Sequence, residues 1–429
     1  MHTSNDAEQA HSPGNKRPLR ILTFNSVGIT GLSMLMILDE LMNAIAGNPS
    51  NITKRKPLPC EVFDIIGGIG VGGWIAILLG RLHLDVPTCM LAYVEIIHAV
   101  EARSRFEKSK LRLHNANFDQ TRLIRKVSQI VDRYSRGSGD KMLYQDKEWP
   151  RCQFAFAAAA VKGSTDNRKY QIFRTYPMQN LSASPTGITE GRIEGGPDPA
   201  ECPIAQAFAA TAASKYLFNS FSLDRSSTKL FDADSLDPHA ITLLAMEEIT
   251  RFTSDPPPIQ LAFNIESGVS TRRDLRSLAG LPRIFSFGSP LERHGAFLRE
   301  HIENSKQPES QEKKLEFVEV LDIPQRESPG GPKRRERIPN DKLTRKAICR
   351  EKKYREDINE ALKKYHKRYH AHCPELLPKY IALGPEVAPK NTVLNDVAAA
   401  NTTYAETHAY ICKLRPKMDD NLAISDCTW

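Results

Sequence analysis

The chain has 429 residues, 40% of them hydrophobic and 26% charged, the balance of a globular protein able to bury a large core rather than of a fibrous or disordered polymer. The net charge of +8 would suit an anionic partner, but it is modest and concentrated in two stretches, so it reads first as solvated surface. Residues 1–17 lack the apolar region of a secretory signal, and the most apolar window, Ile65 to Gly80, is shorter than the roughly 20 residues of a membrane-spanning helix. The expectation is a cytoplasmic chain without a transmembrane helix, open to peripheral membrane contact. The cysteines at 60, 89, 152, 202, 349, 373, 412 and 427 form no CxxC pair, so free thiols are expected.

Leu19 to Phe24 predicts a buried strand, followed by a turn at Asn25-Ser26-Val27-Gly28. Apolar residues at 34, 35, 37, 38, 41, 42 and 45 predict an amphipathic helix from Leu32 to Ile45. Asn48 to Pro59 reads as a loop and Glu61 to Ile66 as a second strand. A glycine run then leads into a helix from Trp74 to about Leu82, and Val86 to Glu101 reads as another, with Pro87 in its first turn. Arg103 to Tyr134 is basic and helical in pattern. Cys152 to Val161 and Lys169 to Tyr176 predict neighbouring strands, Leu181 to Ala200 a loop, Ala205 to Tyr216 a helix, and Ile259 to Ile265 a further strand. Ser305 to Asp341 is polar and basic and reads as an exposed insertion. Lys342 to His372 reads as a charged surface helix. Strands alternating with helices imply a layered α/β fold with a mainly parallel sheet.

Two strand–turn–helix units carry the functional signal. One is Asn25-Ser26-Val27-Gly28-Ile29-Thr30-Gly31; the other is Gly67-Gly68-Ile69-Gly70-Val71-Gly72-Gly73. Glycine at such turns permits unusual backbone angles and close approach of a ligand. The segment Arg20 to Leu82, with ILTFNSVGITGLSMLMILDELM and CEVFDIIGGIGVGGWIAILLGRL, resembles the opening of the patatin-like phospholipases. Further segments, Cys152 to Tyr176, Pro203 to Phe218, Leu230 to Glu248, Ala262 to Gly268 and Tyr380 to Ile411, are similar to that family as well. The resemblance implies a three-layer α/β/α fold, a serine nucleophile on a Gly-x-Ser-x-Gly elbow, an oxyanion turn Asp-Gly-Gly-Gly-x-Arg-Gly, and an aspartate base. It implies domain limits too: a leader at 1–17, the patatin-like domain at 18–304, a basic insertion at 305–341, a helical part at 342–415 packed on the domain, and a tail at 416–429.

The sequence departs from the family pattern at each catalytic part. The nucleophile position is Gly70, between the elbow glycines Gly68 and Gly72, and no Ser, Cys or Thr occurs from Gly67 to Gly73. Without a hydroxyl there, no acyl-enzyme can form on the elbow. In the oxyanion turn, Asn25 stands for the aspartate, Ser26 and Val27 for two glycines, and Thr30 for the arginine, leaving Gly28 and Gly31. A β-branched Val27 resists the positive φ that glycine tolerates. Leu230-Phe231-Asp232-Ala233-Asp234 resembles the family's aspartate motif, which would make Asp232 the remnant of the dyad base; Ala233 and Asp234 replace the two glycines, and without a serine to activate, a turn-forming role is preferred for it.

Three other patterns carry weaker signals. Gly68, Gly70 and Gly73 spell GxGxxG, but on the second strand rather than the first, so a dinucleotide site is not expected. His366, His370, His372 and Cys373 have spacings that suit zinc, yet Lys363, Lys364, Lys367 and Arg368 surround them, so a solvated helix end is preferred. Lys333 to Arg337, with Lys342, Arg345, Lys346, Arg350, Lys352 and Lys353, could meet anionic lipid, act as a nuclear signal or hold RNA. The interspersed acids favour plain surface, and Arg103 to Arg112 poses the same choice. The expectation is a catalytically silent patatin-like protein with no cofactor, no metal and no nucleic acid. Lipid acyl chains, a membrane surface or a protein are its candidate partners. An acyl hydrolase or acyltransferase with a relocated nucleophile, Ser26, and a scaffold working through the basic insertion are the alternatives.

Overall fold

A computed structural model describes residues 17–26, 31–47, 55–100, 118–135, 139–143, 152, 154–161, 169–177, 193, 195–213, 218, 220–223, 240–252, 255–266, 342–371, 378–384, 407, 410 and 411. The leader to residue 16, the insertion 305–341 and the tail from 412 lie outside them.

Strands β1 (Leu19–Ser26), β2 (Ile65–Gly70), β3 (Phe154–Ala160), β4 (Tyr170–Arg174), β5 (Ile259–Glu266) and β6 (Lys379–Leu383) form one sheet in the order β4-β3-β2-β1-β5-β6. All neighbours run parallel except β4, which is antiparallel to β3. Helices α1 (Gly31–Ala46), α3 (Val71–Gly80), α4 (Val86–Val100), α5 (Gln120–Tyr134) and α6 (Ile204–Ala212) pack on one face, with the short turn α2 (Pro59–Val62). Helices α7 (Ala240–Phe252) and α8 (Lys342–Tyr369) cover the other. This is the layered, mainly parallel α/β fold that the alternating pattern predicts. Both faces are dry, which is why the strands read as near-continuous apolar runs. In β1, Leu22 and Phe24 enter the first core while Ile21 enters the second.

The element limits shift in ways that matter for the site. Asn25 and Ser26 belong to β1 rather than to a turn. The second strand does not begin at Glu61. Pro59 opens a helical turn there, and the Glu61 carboxylate accepts the Leu58 N–H at 2.8 Å. The strand starts at Ile65 and takes in Gly67, Gly68 and Gly70, so α3 starts at Val71 instead of Trp74. Glycines extend poorly on their own; here they are strand because large neighbours need their space. A Cβ on Gly67 would lie 2.6 Å from the Phe156 ring.

Buried Arg81, just past α3, donates to the carbonyls of Lys141 and Met142 at 3.0 and 3.1 Å and so ties residues 139–143 to the end of that helix. Asp119 caps α5 by accepting the N–H groups of Thr121 and Arg122. Helix α7 adds to the elements read from the sequence. It is anchored by buried Glu248, which takes both Nε and Nη2 of Arg174 at 2.6 and 2.8 Å and the Tyr176 hydroxyl at 2.7 Å.

Candidate functional site

The chain moves from β1 to β2 and β3 on one side, then to β5 and β6 on the other. In open α/β sheets, sites form at the carboxyl edge beside such a reversal. Gly70, Ser26 and Glu266 end their strands on that edge.

Gly70 is the corner between β2 and α3, with no residue between strand and helix. Its backbone sits at φ 64 and ψ −134, a conformation that side chains adopt only under strain. Its glycine neighbours make the corner possible. A Cβ on Gly68 would lie 2.0 Å from the Gly72 carbonyl oxygen, and one on Gly72 would lie 2.4 Å from that of Phe24. Strand, corner and helix therefore touch backbone to backbone. The corner is tight enough that Gly70 itself is buried. Helix α3 is buried throughout and held by Trp74, which stacks on Phe208 at 5.7 Å and donates to its carbonyl at 3.0 Å.

Ser26 is the register partner of Gly70 on β1. The strands that lead into the two turns singled out from the sequence thus end side by side. Val27, Gly28 and Thr30 lie outside the described residues, as does Asp232. Gly31 opens α1, and its N–H donates to the Tyr93 hydroxyl at 3.1 Å. A Cβ at Gly31 would lie 2.6 Å from the Tyr93 ring, so this glycine has a packing reason of its own. Burial pushes the Tyr93 hydroxyl pKa up, which keeps it a neutral partner.

Asn25 faces the opposite way. It is 5% exposed, and its Oδ1 has no hydrogen-bond partner. Its register partner on β5 is Glu266. Below them runs a buried polar seam that the sequence reading missed. Thr23 Oγ1 meets Thr242 Oγ1 at 3.0 Å and donates to Asn264 Oδ1 at 3.0 Å. Asn264 Nδ2 donates to Glu266 Oε1 at 2.6 Å and to the Tyr380 hydroxyl at 3.3 Å. Arg355 Nη2 of α8 stands 3.7 Å from Glu266 Oε2. Burial and the Glu266 carboxylate push the Tyr380 hydroxyl pKa up. The available signal was the polar pair 264 and 266, two apart on one face of a strand whose only other polar residue is Gln260.

His366 and His370 correct an expectation. Both are 7% exposed, not solvated, because the inward stripe of Ile358, Leu362 and Tyr365 continues onto them. The His370 N–H donates to the His366 carbonyl at 2.7 Å. His372 and Cys373 lie outside the described residues, and no group of three metal-binding side chains occurs among the described ones. Cys60, Cys89, Cys152 and Cys202 are free thiols, as expected. Burial pushes Cys60 and Cys202 up to about 12, far from a reactive thiolate at neutral pH.

No protein-family profile matches the chain, and no curated protein matches it. A solved structure, VipD from Legionella pneumophila, aligns with a TM-score of 0.28 and 10% identity over 92% of this chain and 67% of that one. A likeness at that level carries no argument about activity. Among the described residues, no helix is long and apolar enough to cross a membrane.

Proposed function

We propose that this chain is a patatin-like pseudoenzyme, with the corner of a serine acyl hydrolase and none of its acyl-transfer chemistry, and that it serves a lipid-binding or regulatory role. One observation carries the reading. The backbone at Gly70 turns at φ 64 and ψ −134 between two glycines that the close packing requires, which supports an elbow-like corner, and it presents no side chain. The resemblance of Arg20 to Leu82 to the patatin-like opening supports the same reading, as do the substitutions at Asn25, Val27 and Thr30. In a serine protease of unrelated fold, loss of the nucleophile costs on the order of a million-fold in turnover.

The test is turnover of phospholipid, galactolipid and short acyl esters by the purified full chain. The expected rate is that of buffer alone. A second reading, a relocated nucleophile at Ser26, is favoured by its register pairing with Gly70. Turnover that Ser26→Ala abolishes would establish it and remove the first.

A further inference from the structure

Helix α8 runs antiparallel to β5. Arg355 lies beside Glu266 at the carboxyl end of that strand, while the Tyr365 hydroxyl donates to the Pro257 carbonyl just before its start, at 2.7 Å. The last turns of α8 therefore sit at the amino edge of the sheet. An eight-residue strand separates them from the Gly70 edge, about 25 Å at the usual rise.

The inner stripe of this helix is buried: Ile358, Ala361, Leu362, Tyr365 and His366. Its outer face is exposed from Lys353 onward. Lys353 stands above Glu356, Asp357 and Glu360, and Lys363, Lys364, Lys367 and Arg368 gather in the last two turns. At 3.6 residues per turn, the four cations cover an arc of about 140° on the side away from the core. Glu360 pairs with Lys364 at 2.8 Å, and the Arg368 guanidinium lies 5.6 Å from the centre of the half-exposed Tyr369 ring.

We propose that this basic end of α8 is a docking surface for an anionic lipid bilayer, and that it turns the Gly70 corner away from that bilayer. A helix end with four cations on its outer arc and an adjacent tyrosine suits a plane of anionic headgroups, where aromatic rings settle at the interface. An extended polyanion such as RNA fits it less well, because a strand following the helix would meet Glu360, Asp357 and Glu356 within two turns. The proposal is independent of the chemistry at Gly70, since it concerns the opposite edge of the sheet.

The experiment is co-sedimentation of the full chain with phosphatidylcholine vesicles and with vesicles containing about one-third phosphatidylserine, at low and high salt. The wild-type chain is expected to bind the phosphatidylserine vesicles selectively and to leave them in salt. Combined Lys363→Gln, Lys367→Gln and Arg368→Gln should weaken that binding by at least about tenfold. Combined Glu356→Gln, Asp357→Asn and Glu360→Gln should leave it equal or tighter. Amine-reactive labelling on vesicles should find Lys363, Lys364 and Lys367 protected and the exposed Lys353, about three to four turns away, still reactive. The proposal is overturned if the basic variant binds as well as wild type, if phosphatidylserine confers no preference, or if an RNA oligonucleotide is bound and the vesicles are not.

Discussion

At Gly70 the two demands on one residue are separable. The corner needs φ 64, which any L side chain adopts at a cost of about 1–3 kcal/mol. Gly70→Ala should therefore destabilise the chain by about that much in urea unfolding, and an unchanged midpoint would remove the strained corner from the account. Gly72→Ala meets a different obstacle, a carbonyl oxygen 2.4 Å from the new Cβ, and should cost at least as much, toward the upper end of the about 1–3 kcal/mol typical of overpacking. Gly139 offers the control. It has φ 78 with nothing within 4 Å of a new Cβ, so Gly139→Ala should show the backbone cost alone. At this scale the sequence was informative about glycine and poor about its neighbours. The run Gly67 to Gly73 identified the corner because few other residues tolerate such contacts. Asn25 and Ser26 looked like a turn because their side chains are common in turns, whereas Asn25 pairs with both β2 and β5 and Ser26 with β2, which holds them in strand.

Among the elements, α7 is fixed most firmly by its charged clasp on β4. Arg174 and Glu248 each have side chains 4% exposed, so removing one leaves the other buried and uncompensated. Glu248→Ala should cost about 3–5 kcal/mol in equilibrium unfolding, while Arg174→Met combined with Glu248→Leu should cost much less. Equal losses in both would contradict this picture. The strands were legible because burial on both faces leaves unbroken apolar runs. Helix α8 was legible in extent and misread at its end. Lys363, Lys364, Lys367 and Arg368 suggested that His366 and His370 shared their solvent, but the histidines fall on the inward stripe and the cations on the outward arc. Glu266 escaped notice for the converse reason. An acid ending an apolar strand reads as exposed, and only the register with Asn25 and the approach of Arg355 place it inside.

Across the whole molecule, the buried thiols report on integrity. With Cys60 and Cys202 pushed up to about 12 and Cys89 raised as well, iodoacetamide near neutral pH should modify these three buried thiols only when the chain unfolds. Rapid native modification of any one would contradict the packing. The linkage follows in sign: folding holds each thiol pKa above its ordinary 9.0, so this contribution is complete below about 9 and is lost as pH rises toward 12. The layered architecture could be read from the alternation of elements, whereas the switch in direction beside β1 could not, because strand order is set by tertiary pairing. What joins these scales is a sheet edge whose tight strand-to-helix corner, at Gly70, carries no side chain. Fluorophosphonate labelling of the purified full chain, read residue by residue by mass spectrometry, tests that most directly. The account predicts that no serine of the wild-type chain is labelled above the level of the unfolded protein. Stoichiometric labelling of one serine, Ser26 above all, would contradict it.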